Sequence, residues 1–217
     1  MIKGVDVILV VILLSILLSL GSSRMTTLIK IMALQGAMVS CAGLLLDLKA
    51  DLAVTTIFFF QVMFLVKGVL IPGLLYFALT KAAIKREVEP IIGYHASLLV
   101  GLGLILLSVY LAGKLKFSLA GDYSLLLITA ITTMGSGLFL MMSRTKALTQ
   151  VIGYLMLENG IYLIGVALTK KSHNMFLVEF GILLDLLVGV MIMGIILHNI
   201  TRTFDDVDTM YLGQLKD

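Results

Sequence analysis

Seven apolar runs, at residues 5–21, 27–47, 53–80, 91–112, 119–142, 147–168 and 175–200, occupy nearly the whole chain. Each is long enough to cross a bilayer core of about 30 Å, for which about 20 helical residues suffice. Backbone in hydrocarbon must satisfy its own hydrogen bonds, so such a chain folds as transmembrane helices or as a closed barrel. The runs are continuously apolar and do not alternate, which argues against the barrel. The fold class is therefore all-α, a polytopic transmembrane helical bundle of about seven spans. The charged residues agree: they make up 13% of the 217, about half the share in a soluble domain.

The connectors are short and leave little room for soluble chemistry. Lys3 ahead of the first run resembles a signal-peptide start, but no clear small-residue cleavage site follows, so the run reads as a retained span. The single Cys41 excludes an intrachain disulfide, and His95, His173 and His198 fall in separate segments without ligand spacing. No phosphate-binding glycine loop or nucleophile motif is present. The partner environment is the lipid membrane, not nucleic acid. Basic connector residues set the orientation. Arg24, Lys30, Lys81, Lys85, Arg86, Arg144, Lys146, Arg202 and Lys216 fall on one side of a seven-span chain, against six basic residues on the other. The positive-inside rule then predicts an N-terminus outside and a C-terminus in the cytoplasm.

Three ionisable residues lie where insertion does not ask for them. A central acid costs roughly 2.5–3.5 kcal/mol and each Leu, Ile or Val returns roughly 0.3–0.6, so the spans insert despite Glu158 and Asp185. Charges at such depth are functional candidates by default. Lys67 lies about 20 Å from either end of its run at 1.5 Å per residue, too far for its side chain to snorkel to an interface. Nearby, Pro72 removes one helical hydrogen bond and frees the Gly68 carbonyl, and Gly68 and Gly73 soften the same stretch into a hinge. Tyr154, Glu158 and Tyr162 recur every four residues and form one polar stripe; a phenol there can solvate the carboxyl or pass it a proton. Gly181, Asp185 and Gly189 share a face on which a neighbouring helix can press close. Glu179 lies off that face, either a point of ion uptake or simply interfacial. Gln35 in the second span reads first as an interhelical hydrogen bond and second as a relay member.

A weak internal repeat lays spans one to three over spans five to seven. Arg24 precedes span two as Arg144 precedes span six, and Gln61 to Lys67 matches Glu179 to Asp185. Spans one to four (1–117) thus form one part and 118–203 a three-helix unit. Residues 204–217 turn acidic and polar. They are a cytoplasmic tail that is either free or, through Met210, Tyr211, Leu212 and Leu215, docked on another subunit.

The residues from Arg144 onward resemble the three-helix K subunit of proton-pumping NADH:quinone oxidoreductase and the C subunit of multisubunit sodium/proton antiporters. The likeness lies in the basic residue opening the middle helix, Ile152-Gly153 with an acid after it, Asp185 with Gly189, and His198 followed by Arg202. The whole length, with Lys67-Gly68, Pro72-Gly73 and the ending TMYLGQLKD, resembles the E component of hydrogenase 4, of the membrane-bound group 4 nickel–iron hydrogenases and formate hydrogenlyases. In the K-subunit pattern the middle-helix acid falls two residues after the glycine; here that position is Leu155 and the acid is Glu158. The relay role therefore transfers more firmly to Asp185. The resemblance implies a non-catalytic subunit of the inner membrane, beside antiporter-like membrane subunits and a hydrogenase and iron–sulfur arm. It implies no cofactor in this chain, the nickel–iron centre and iron–sulfur clusters belonging to partner subunits. Proton or sodium-linked transfer would run along Asp185, Glu158, Lys67, Glu179, Tyr154, Tyr162, Gln35 and His198. An autonomous small transporter and a structural membrane anchor are the alternatives.

Overall fold

The computed structural model describes residues 4–47, 54–81, 91–114, 124–168, 188–189, 191–192 and 194. Those residues form helices and turns and no strand. In order these are α1 (Gly4–Gly21), α2 (Met25–Asp47), α3 (Val54–Leu65), a π turn (Val66–Leu70), α4 (Ile71–Lys81), α5 (Tyr94–Lys114), α6 (Ser124–Ser143) and α7 (Ala147–Leu168). The three pieces from α3 to α4 make one continuous crossing, so six helices are long and apolar enough to span a membrane. Of the seventh run, Val188 and Ile192 are helical and fully buried in the core. Glu179, Asp185, His198 and the tail 204–217 lie outside the described residues.

Several hydroxyls on these apolar helices bond back to their own backbone. Ser15 donates to Ile12 O, Ser19 to Ile16 O, Ser40 to Gly36 O, Ser108 to Leu104 O, Thr129 to Leu125 O and Thr133 to Thr129 O. A hydroxyl bonded back to its own helix presents little polarity to an apolar neighbour.

The α6–α7 hairpin is the tightest element of the bundle. A Cβ on Gly137 would land on the Leu157 amide nitrogen and 2.7 Å from Gly153 O, and one on Gly153 would lie 2.9 Å from Gly137 O. A Cβ on Gly160 would lie 2.9 Å from Ala130 O. Backbone thus meets backbone along the seam, as small residues permit between helices in lipid. Against this plate α1 packs on α6, α5 and α2, and α2 packs in turn on α7 and on the α3–α4 crossing. Among the described helices α5 is the least buried, with Leu99, Leu106 and Tyr110 exposed.

At one end of the bundle stands Arg144, one of the basic connector residues counted for orientation. It is 1% exposed. Its guanidinium donates to Leu20 O at 3.0 Å and Ile92 O at 3.3 Å and stands 5.0 Å from the Tyr94 ring centroid. The last four carbonyls of a helix lack intrahelical donors, and Leu20 O is one of these in α1. Arg144 therefore caps α1 while reaching the start of α5, which Ile91 N–H ties to Ser143 O at 2.9 Å. The guanidinium's ordinary value is lowered by burial, an effect that the Tyr94 oxygen opposes; arginine keeps its charge in either case. Arg144→Leu should lower stability by about 1–3 kcal/mol for each carbonyl left bare. Arg144→Lys should recover only part, because an ammonium does not span both acceptors as the planar fork does. Thermal unfolding in mild detergent reads this; an unchanged midpoint in Arg144→Leu would show that the cap contributes nothing.

Candidate functional site

Lys67 lies inside the π turn, with its side chain buried. The sequence places a weak point at Pro72 and Gly68, and the departure from α-geometry contains Gly68 and ends two residues before the proline. The Ile71 N–H, just before the proline, bonds to Val66 O and closes a wide turn around the lysine. Such turns insert one residue into a helix and redirect the side chains within it. Gly36 on α2 permits the approach of this turn: a Cβ there would fall 2.7 Å from Lys67 O and 3.0 Å from Lys67 Cβ. Beside it, Gly68 faces Ala37, whose Cβ lies 3.6 Å from where a Gly68 Cβ would stand. Gly73 has nothing within 4 Å and is exposed.

The lysine side chain crosses to α7. Its Nζ lies 2.5 Å from Glu158 Oε1, with the two side chains 3% and 2% exposed. The ammonium also donates to Asn159 Oδ1 at 3.4 Å. The Tyr162 ring centroid is 6.0 Å from Nζ, at the outer limit of a cation–π contact. Depths agree from both helices. Glu158 lies about 17 Å above the start of α7 and Lys67 about 20 Å from the end of α4, at 1.5 Å per residue. Those ends lie on the same side if consecutive spans alternate in direction. The pair is thus near the middle of a hydrophobic slab about 30 Å thick.

Burying an ion pair at that depth is not a route to stability in itself. Desolvating two charges costs several kcal/mol per ion, and Coulomb attraction offsets this only with good geometry and further hydrogen bonds. Here Asn159 supplies one such bond. Its carboxamide is 1% exposed, and among the described residues its Nδ2 has no partner. Gln35, the residue before Gly36, is fully buried, and neither of its amide atoms has a partner among the described residues. The interhelical hydrogen bond expected of Gln35 is thus not formed within this set. An unmet buried amide group costs about 1–3 kcal/mol.

Of the stripe Tyr154, Glu158 and Tyr162, Glu158 and Tyr162 are buried and Tyr154 is half-buried. Tyr162 points its hydroxyl into a notch that Gly43 leaves open on α2, where a Cβ would meet that oxygen and lie 3.0 Å from Phe60 Cε1. The structure therefore brings together Lys67, Glu158 and Tyr162 from the sequence-derived set and adds Asn159. A signal for Asn159 existed: it is the second consecutive polar residue, Glu158-Asn159, in the middle of an apolar span. No group of three His, Cys, Asp or Glu fit to hold a metal occurs among the described residues.

No protein-family model matches the chain, and no solved structure gives a significant match. Curated proteins do. The uncharacterized protein Rv0085 of Mycobacterium tuberculosis is 29% identical over 190 residues, covering 87% of this chain and 85% of that protein. Hydrogenase-4 component E of Escherichia coli K12 is 26% identical over 153 residues, 70% of each chain, and the Shigella flexneri protein of that name matches to the same extent. The chain is thus a helical membrane protein distantly related to hydrogenase-4 component E.

Proposed function

We propose that this chain is a non-catalytic membrane subunit of a complex of the hydrogenase-4 type, and that it moves protons, or takes part in sodium-linked transfer, across the midplane of the bilayer. The observation that carries the reading is the Lys67–Glu158 pair, buried at mid-depth with the lysine inside a π turn. Protons do not cross hydrocarbon unaided, so a pump needs titratable groups there that exchange partners. A salt bridge whose lysine stands on an irregular turn meets that need, because the turn can shift while the rest of the helix stays folded. Asp185, on the seventh run, is the third group of the line. The distant relationship to a hydrogenase component supports membership of a complex. Nickel–iron and iron–sulfur chemistry then belongs to partner subunits, and antiporter-like subunits are its neighbours in the inner membrane, with the C-terminus on the cytoplasmic side.

The test is redox-driven proton uptake in sealed vesicles, normalised to assembled complex. Asp185→Asn keeps shape and hydrogen bonding but removes titration, and it is expected to assemble and lose most of the uptake. Asp185→Glu, which keeps the acid, should retain part. Wild-type rate and stoichiometry in Asp185→Asn would remove Asp185 from the path. The same result in Glu158→Gln as well would leave a subunit whose charges only fix helix register.

A further inference from the structure

We infer that Asn159 is a positioning residue, the second seat of the Lys67 ammonium, and that the lysine alternates between Glu158 and Asn159 as Glu158 takes up and gives off a proton. This rests on the transfer function proposed above and names the residue that lets the pair open. The geometry is direct. One ammonium faces two adjacent acceptors, Glu158 Oε1 at 2.5 Å and Asn159 Oδ1 at 3.4 Å. An ammonium has three donors and no acceptor, so it can hold both and lean on either. The Asn159 amide is buried, and among the described residues nothing engages its Nδ2. The Lys67 ammonium is the one donor described on its oxygen.

A salt bridge that cannot open cannot carry protons, because a carboxylate held by an ammonium has no reason to protonate. Leaving Glu158 without a substitute acceptor would strand a charge in a low-dielectric interior. A neutral amide lowers this cost without removing it, by giving the ammonium an acceptor while its charge is unpaired. It accepts from the ammonium without competing for protons, and its grip is weaker than that of the carboxylate, so the displaced state is reached and left again. In the step itself the ammonium keeps its three protons and changes acceptor. The freed carboxylate takes one proton from the path and becomes neutral. When that proton leaves, the carboxylate draws the ammonium back. Tyr162, its ring near the ammonium and its hydroxyl in the Gly43 notch, lies beside both positions. Lys67 belongs to the π turn, which supplies the small backbone displacement the exchange requires.

The experiment is infrared difference spectroscopy of the reconstituted complex during redox turnover, with proton uptake recorded in parallel. The wild type is expected to show a protonated-carboxyl band that is missing in Glu158→Gln. Asn159→Leu, close in shape but without an acceptor, should assemble, while the band and the proton uptake per complex both fall several-fold. Asn159→Asp should act in the opposite sense on the band. A second carboxylate holds the lysine away, so Glu158 stays protonated and its band grows in the absolute spectrum, read after subtracting the Asn159→Asp/Glu158→Gln spectrum. A merely structural asparagine would not give opposite signs. If Asn159→Leu keeps the wild-type band, or fails to assemble while Asn159→Asp leaves the band unchanged or smaller, the assignment to Asn159 is wrong. If the wild type has no band that Glu158→Gln removes, Glu158 never protonates and the transfer function falls with it.

Discussion

Removing either member of the Lys67–Glu158 pair alone should be far more damaging than removing both. With Lys67→Met the buried carboxylate loses this cation, and with Glu158→Leu the ammonium loses this carboxylate. Breaking a buried pair from one side costs about 3–5 kcal/mol. The double variant Lys67→Met/Glu158→Leu removes both charges of the pair and should return to within about 1 kcal/mol of the wild type, since apolar replacement of a buried pair is often neutral. Thermal unfolding of the purified protein in detergent measures all three. If the double variant is as unstable as the worse single one, the two groups do not act as a pair.

The same experiment separates stability from work. A pair kept for structure alone would be dispensable once replaced by methionine and leucine. A pair kept for transfer leaves a double variant that is well folded and inactive. Stability regained without proton uptake is the expected combination.

The spans could be read from the sequence because a run of twenty apolar residues has few alternatives in lipid. Their ends could not. The run expected from 91 begins as helix only at Tyr94, because hydropathy marks where a chain is apolar and not where its backbone turns helical. Lys67 and Glu158 were each visible as charges too deep to reach water. Their pairing was not, because they are 91 residues apart and nothing in a single sequence fixes which helices adjoin. The K-subunit resemblance and the flanking Gly181 and Gly189 favoured Asp185 as the primary relay acid, and its similar depth offered Asp185 as a partner for Lys67. The closeness of α2 to the lysine depends on Gly36, which in sequence is one small residue among several on a small-faced helix. The cap made by Arg144 stayed hidden for a related reason. A basic residue between two spans looks the same whether it faces headgroups or caps a neighbouring helix, and only the position of Leu20 O distinguishes the two. Pro72 marked the right neighbourhood, yet the helix absorbs it by widening the turn around Lys67 ahead of the proline.

One methyl group should have opposite effects at two glycines. At Gly103 on α5 nothing lies within 4 Å, so Gly103→Ala should stabilise by up to about 1 kcal/mol through helix propensity. At Gly137 on α6 the same methyl would occupy the space of the Leu157 nitrogen and lie 2.8 Å from Leu157 Cα and 2.7 Å from Gly153 O. These are backbone atoms with no rotamer to escape into, so the α6–α7 seam itself must part. Overpacking against side chains costs about 1–3 kcal/mol, and a backbone obstacle belongs at or above the top of that range, well beyond the propensity gain. The consequence reaches the site. Leu157 precedes Glu158 on the same turn of α7, so separating the seam displaces the carboxyl that Lys67 holds. Gly137→Ala should therefore lower the thermal midpoint of the purified chain and, in whatever complex still assembles, reduce proton uptake below that of the Gly103→Ala control. Equal midpoints for the two variants would mean that the helices are not held at this distance by Gly137, and that Glu158 owes its placement to some other contact.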